Sequence, residues 1–177
     1  MGEAERYTRV AIVLHWLIAI GVLGQITFGW WMIDIPKQPV GVRAYWFNIH
    51  KSIGITLGFL ILLRIVWRLS HGVPLLPAHI PAWQRMAAKA SHFMMYMCMI
   101  IMPVSGYLGS SFTKYPIKYW GYTLPHWGWE SAVLKDICSQ VHHTTVIVFM
   151  ILIAIHWAAA VKHMLARDGV IQRITRW

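Results

Sequence analysis

Histidine is the residue type best suited to chemistry in this sequence, because ten histidines occur in a chain of 177 residues. Six of them fall inside or at the edges of long apolar segments, and these are His15, His50, His92, His142, His143 and His156. An ionisable side chain in such a segment is costly unless it has a partner or a function. Because neutral imidazole is also a common metal ligand, these six are candidate ligands. His71, His79 and His126 are predicted to be loop residues.

The spacing of His142 and His156 gives the first geometric indication. They lie fourteen residues apart, which on a helix places them within roughly 40° of one face and about 21 Å apart along the axis. His143 would point well away from that face. A single helix therefore offers imidazoles at two separate levels of one groove.

Partners for these two histidines are expected at matching depths on other helices. His156 lies six residues before Lys162, and His15 lies six residues after Arg9, so each is about 9 Å from the same membrane edge. His142 lies six residues after Asp136, and His50 begins the second apolar segment from that opposite side. The predicted pairs are therefore His15 with His156 and His50 with His142.

Two axial histidine pairs across a helical bundle are what two haems with two histidine ligands each require. The sequence has no C-x-x-C-H motif, so attachment is predicted to be noncovalent. Hydrogen bonds between helices are the alternative role for these histidines. A zinc or copper site is a second alternative, but neither depth offers a third or fourth ligand. Six-coordinate irons leave no position for oxygen or peroxide, which favours electron transfer over an oxidase or peroxidase.

The composition is that of an integral membrane protein. Hydrophobic residues make up 58% of the chain and charged residues 12%, with a mean hydropathy of +0.52, whereas soluble domains have about 45–50% and about 25%. The net charge of +10 is expected to face anionic lipid beside the spans, and no nucleic-acid partner is predicted. Residues 1–177 are predicted to form one domain.

Four segments are long enough to cross a bilayer as helices, with predicted bounds of about 10–33, 46–69, 90–113 and 137–161. The first could be a secretory signal, but it ends in the bulky run Gly29-Trp30-Trp31-Met32 instead of small residues at a cleavage site. The second contains Lys51, Arg64 and Arg68 near its ends, where long basic side chains can reach the interface. The predicted fold is an all-α, four-helix transmembrane bundle enclosing two haems.

Orientation follows from the distribution of lysine and arginine. Ten of them, including Arg176, belong to the side that carries both termini, so both termini are predicted to be cytoplasmic. The opposite side carries Lys37, Arg43, Lys51, Lys114, Lys118 and Lys135. These cations are predicted to attract a small anionic electron donor. Ordinary contacts with lipid headgroups are the alternative.

Several motifs together carry a resemblance to a known family. They are V-L-H-W-L at His15, H-K-S-I-G at His50, R-I-V-W-R at the end of the second helix, M-P-V-S-G in the third, and I-H-W-A-A-A-V-K-H in the fourth. In this order the sequence resembles the bacterial cytochrome b561 family, small dihaem proteins of the inner membrane that are similar to the cytochrome b subunits of nickel hydrogenases. The resemblance implies haem ligation by His15, His50, His142 and His156. It also implies electron transfer with ubiquinone, and its best-understood small member implies superoxide as the periplasmic donor.

Other residues have predicted supporting roles. Arg64 and Arg68 could neutralise haem propionates, with anchoring at the cytoplasmic face as the alternative. Lys51 could do the same for the outer haem, and Gly54 leaves room for a porphyrin or a close helix. His163 follows His156 by seven residues on nearly the same face, so it is a candidate proton donor to quinone or a simple surface residue.

The predicted function is therefore that of a haem b oxidoreductase that passes electrons from a periplasmic donor to ubiquinone in the bacterial inner membrane. The first alternative is a membrane-anchor cytochrome b subunit that serves a partner dehydrogenase or hydrogenase. The second is a transporter without haem. A homo-oligomer is also possible, and His92 and His143 have no predicted role.

Overall fold

A computed structural model describes residues 6–39 and 41–175. Its elements are α1 (Arg9–Ile33), α2 (Val42–His71), α3 (Ala82–Ser111), β1 (Ile117–Tyr119), β2 (Tyr122–Leu124), α4 (Ala132–Ala166) and α5 (Gln172–Thr175). The helices α1 to α4 are each long and apolar enough to cross a membrane, which confirms the predicted four-helix transmembrane fold. Arg176, one of the ten basic residues on the side that carries both termini, lies outside the described residues. Glu3 and Glu5, near the N-terminus, also lie outside them.

The long helices begin and end at positions that differ from the predicted bounds. α3 begins at Ala82 instead of residue 90, and α4 extends over Ala132–Ala166 instead of 137–161. The predicted bounds of these two spans were placed at the nearest charged residues. Charged side chains at the membrane interface are compatible with a helix, so both helices continue past them. Side-chain caps define two of the starts, because Thr8 and Ser131 accept hydrogen bonds from backbone N–H groups in the first turns of α1 and α4.

The helices pack in chain order. α1 lies along α2, α2 contacts α3, and α3 lies along α4, while within the described ranges α4 makes little backbone approach to α1 or α2. The buried core between α3 and α4 consists of Met95, Cys98, Phe149 and Leu152. α4 therefore faces α1 and α2 mainly through side chains, and the histidines lie along that face.

The two ends of the bundle differ, and we name them by what they carry. The terminal end carries the start of α1, the connection 72–81 and the tail 167–175. There the Trp67 indole N–H donates to the Thr8 hydroxyl (2.8 Å), and Arg173, which is 4% exposed, lies over the ring of Tyr7. The Trp16 indole N–H donates to the carbonyl of Ile174 (3.2 Å). The tail is thus held against the start of α1.

The hairpin end carries the connections 34–41 and 112–131. Its β1–β2 hairpin is antiparallel, with Ile117 opposite Leu124, and the sequence analysis predicted only a loop here. Strands of three residues are too short to show an alternating pattern. The hairpin lies against α2, where the Ser52 hydroxyl accepts a hydrogen bond from the backbone N–H of Trp120 (3.0 Å).

Candidate haem-binding sites

Near the hairpin end, His50 of α2 faces His142 of α4. Their ring centres are 6.4 Å apart, and the ring planes are inclined at 73°. An imidazole nitrogen lies about 2.0–2.1 Å from a first-row metal ion and about 1.1 Å from the centre of its own ring, so two imidazoles on opposite sides of one iron have centres ~6.3 Å apart. The observed separation is close to this value, so His50 and His142 could hold one metal ion between them.

The orientation of His142 is fixed by groups on α3. Its Nδ1 lies 3.0 Å from the carbonyl oxygen of Met102 and 3.1 Å from the hydroxyl of Ser105, which is 5% exposed. A carbonyl can only accept, so Nδ1 carries the proton and Nε2 keeps its lone pair. Metal-bound histidines usually have such a second partner. The sequence predicts no role for Ser105, although a serine within an apolar segment is a usable signal of a polar partner.

Two glycines give the imidazoles room. A Cβ at Gly29 of α1 would lie 3.3 Å from Cε1 of His50, and a Cβ at Gly106 of α3 would lie 3.4 Å from Cε1 of His142. Each ring therefore lies against the backbone of a neighbouring helix. The contacts of these glycines with the imidazoles could not be predicted from the sequence, because they depend on which helices approach one another.

Gly54 and Lys51 flank this pair on α2. A Cβ at Gly54 would lie 3.4 Å from Nε2 of Gln25, and that amide donates to the carbonyl of His50 (2.7 Å). The space beside Gly54 thus admits a side chain of α1, as in a close helix approach. Lys51 is half-buried and adjacent to His50, near enough for its charge to act at this level.

A second imidazole pair lies toward the terminal end. His15 of α1 and His156 of α4 have ring centres 6.4 Å apart and ring planes inclined at 65°. This separation is the same as that of the first pair, so His15 and His156 could also hold one metal ion between them. His92 of α3 lies 5.5 Å from His156, yet no group of three or more metal-binding side chains in the described residues is arranged to hold an ion. The arrangement at each level suits a cofactor that is held by two histidines.

Arg64 and Arg68 border the terminal-end pair. Arg64 donates to the carbonyl of Ala11 (3.0 Å) and to the hydroxyl of Tyr96 (3.2 Å). The guanidinium of Arg68 lies 5.5 Å from the centre of the Tyr96 ring. These contacts hold two cations beside the imidazoles, where carboxylates of a bound group could pair with them. His143, in contrast, is exposed on α4, and it joins neither pair.

His163 pairs with Asp168, a contact that the sequence did not predict. Its Nδ1 lies 2.5 Å from Oδ2 of Asp168, and the two side chains are only 17% and 14% exposed. Burial by itself would raise the pKa of the Asp168 carboxyl. The hydrogen bonds from His163 and from the backbone N–H of Val170 outweigh burial and hold this pKa below its ordinary value. The pairing therefore stabilises the tail above the ordinary carboxyl pKa, and this stability is lost as pH falls through the lowered pKa.

These features define a multi-pass membrane protein with histidine pairs suited to haem. Residues 6–177 match the family described as prokaryotic cytochrome b561. The chain belongs to this family, whose members are membrane electron-transfer proteins that bind haem b. The family resemblance predicted from the sequence is confirmed.

Three relatives span nearly the whole chain. Cytochrome b561 homolog 2 of Escherichia coli (strain K12) is 29% identical, with 96% of this chain and 91% of the relative covered. Cytochrome b561 homolog 1 of the same organism is 26% identical, with 96% and 97% covered. The probable superoxide oxidase CybB of Yersinia pestis is 25% identical, with 96% of each chain covered.

Replacing Gly29 with valine should displace His50, because even the first added carbon would approach the imidazole to 3.3 Å. We expect Gly29→Val to lower the haem content of the purified protein by about half and to leave its helical circular dichroism unchanged. The control is Gly24→Val on the same helix, where a Cβ would meet nothing within 4 Å. Equal haem content in both variants would contradict the placement of His50.

Proposed function

We propose that the chain holds two haem b groups without covalent attachment. His15 and His156 ligate one, and His50 and His142 ligate the other. The observation that carries this proposal is the recurrence of one separation, 6.4 Å, between two imidazole pairs at different levels of the bundle. When bound, each haem supplies a one-electron redox centre.

The chain's own residues would bind and orient these groups. The Met102 carbonyl and the Ser105 hydroxyl fix the ring of His142 through Nδ1, which leaves the lone pair of Nε2 free to hold a metal ion. Arg64 and Arg68 provide positive charge for propionates near the terminal end, and Lys51 provides it near the hairpin end. Each histidine pair would hold one haem, and the bound group would supply electron transfer at its edge.

We propose that the protein lies in the bacterial inner membrane with the terminal end in the cytoplasm. The excess of lysine and arginine at that end supports this orientation. The hairpin end then faces the periplasm. Lys114 and Lys118 are exposed there, whereas Lys135 is paired with Asp136 at 2.7 Å. A small anion that approaches the hairpin end would meet a net positive surface.

The proposed donor and acceptor are matched to the two ends of the bundle. We propose superoxide as the periplasmic donor, supported by the surface charge and by the name of the Yersinia pestis relative, probable superoxide oxidase. Ubiquinone is the proposed acceptor. Its full reduction takes up two electrons and two protons, and the His163–Asp168 pair at the terminal end is placed to deliver protons from the cytoplasm.

The alternative, an anchor subunit for a partner dehydrogenase or hydrogenase, predicts a different behaviour. Such a chain would copurify with a redox partner and would lack activity alone. We favour the self-contained oxidoreductase because the chain supplies two imidazole levels, a cationic outer surface and an inner proton-donor pair. Turnover by the isolated chain decides between the two.

Alanine variants test the ligand assignment. We expect His15→Ala and His156→Ala to lose the same haem, and His50→Ala and His142→Ala to lose the other, because each iron depends on both members of its pair. Redox difference spectra and potentiometric titration would identify which haem is absent. His143→Ala is the matched control and should keep both haems. Loss of a haem from this control with retention in His142→Ala would reverse the assignment.

Salt tests the electrostatic attraction of the donor. The rate of reduction by superoxide should fall as salt rises, because the Debye length shortens from about 10 Å at 0.1 M to about 3 Å at 1 M. Lys114→Gln combined with Lys118→Gln should lower the rate at low salt and leave the haem spectrum unchanged. Lys135→Gln is the control, because this charge is already paired. A rate that responds to neither salt nor the lysine changes would exclude this attraction.

Variants of the His163–Asp168 pair test the proton donor. We expect His163→Ala and Asp168→Asn to slow quinone reduction by about 10-fold or more while the reduction of haem by the donor keeps its rate. Stopped-flow spectroscopy separates the two steps. His71→Ala, an exposed histidine at the same end, is the control. Unchanged quinone turnover in both pair variants would refute this role.

A further inference from the structure

A cavity of about 460 Å³ lies at the hairpin end, between the first turns of α2 and the β1–β2 hairpin. Its lining residues are Gly41, Ala44, Tyr45, Asn48, Ile49, Ser52, Lys118, Trp120 and Gly121. Asn48 and Ser52 each lie two positions from His50, so they occupy nearly the opposite face of α2 from the imidazole. The cavity is therefore separate from the haem ligands and only one helix diameter away from them.

Trp120 is held at the edge of this cavity in an unusual conformation. Its φ of +47° lies in the left-handed region, which a bulky side chain rarely adopts, and the next residue, Gly121, has φ +97°. Two-residue hairpin turns of this kind prefer asparagine or aspartate followed by glycine. Backbone strain of this sort persists where surrounding contacts enforce it, and it is frequent at ligand sites.

Two hydroxyl groups of α2 enforce this conformation. The backbone N–H of Trp120 donates to Ser52 (3.0 Å), which is 2% exposed, and the indole N–H donates to Thr56 (3.2 Å). The hydroxyl of Tyr119 lies 3.4 Å from the same Thr56 oxygen. The indole ring is thereby fixed in position, yet it stays 52% exposed. A rigid, half-exposed aromatic face at the edge of a cavity is suited to stacking with a flat ligand.

The other lining groups define the chemistry of that ligand. Tyr45 adds a second aromatic ring, while the amide of Asn48 and the ammonium of Lys118 can donate hydrogen bonds. The lining residues include no acidic side chain. A matching ligand is flat and apolar over most of its surface, and it carries oxygen acceptors at its edge for the amide and the ammonium. The cavity volume is within the usual range of about 300–1,000 Å³ for small-molecule sites.

We propose that this cavity binds the headgroup of a membrane quinone, with its ring on Trp120 and its carbonyl oxygens on Asn48 and Lys118. This is a quinone position at the hairpin end, additional to the one at the terminal end. The cavity proposal rests on the proposed function in one respect, which is that quinone is the class of ligand. Binding here is a property of the cavity and requires no electron transfer.

Photolabelling of the full-length haem-loaded protein in lipid nanodiscs tests the proposal. The probe is an azido-ubiquinone, located by peptide mass spectrometry and competed with decylubiquinone. We expect label within residues 41–52 and 118–121 that decylubiquinone prevents. Two variants should each lower this label by about tenfold. Trp120→Gly removes the ring and suits the left-handed backbone. Lys118→Met removes the ammonium and keeps the backbone carbonyl.

The controls are Tyr122→Ala, a 77%-exposed ring on the same hairpin, and Lys114→Met, neither of which lines the cavity. Both should keep full labelling, and all four variants should keep the haem spectrum. If Trp120→Gly loses haem, Lys118→Met decides the outcome alone. Three results would overturn the proposal. The label could be confined to the terminal end, or it could lie at the cavity and not be lowered in the cavity variants. It could also be displaced by anionic phospholipid as readily as by decylubiquinone.

The labelling experiment tests the cavity independently of the proposed quinone site at the terminal end. Quinone reduction that depends on His163 and Asp168, together with absence of label at the cavity, would refute the cavity site and support the proposed function. Label at the cavity with no quinone reduction by the isolated chain would support the cavity site and refute the proposed function.

Discussion

The structure depends on the placement of four imidazoles at membrane depth. An unpartnered imidazole in this environment is costly, and each of these four faces another across 6.4 Å. The helices pack so that α3 contacts α4 closely while α4 makes little backbone approach to α1 and α2, and the imidazole pairs lie across that gap. Gly29 and Gly106 and the hydrogen bonds to His142 restrict the rings of the pair near the hairpin end.

The ends of the bundle serve this arrangement differently. At the terminal end, the tail is held against α1 and presents the His163–Asp168 pair. At the hairpin end, β1 and β2 cover α2 just beyond His50 and present exposed lysines and Trp120. Under the proposed function, the exposed lysines would attract the donor at one end and the His163–Asp168 pair would supply protons at the other.

The sequence was sufficient for the four spans and for the depths of the histidines, because both depend on periodicity and charge along a single helix. The matched depths of His15 and His156 follow from their distances to Arg9 and Lys162, and the structure brings these two rings together. The roles of Gly29, Ser105 and Asp168 depend on which helices or segments approach, which one sequence does not specify. The hairpin was missed because its strands are short, and the conformation of Trp120 follows from contacts with Ser52 and Thr56, which are distant in the chain.

The central claim is that two pairs of imidazoles hold two haems in one chain. The most direct test is the ratio of haem b to protein in the purified, intact chain, combined with electron paramagnetic resonance of the oxidised form. We expect two haems per chain, both low-spin with two nitrogen ligands. One haem per fully loaded chain, or a high-spin iron with an open position, would contradict it.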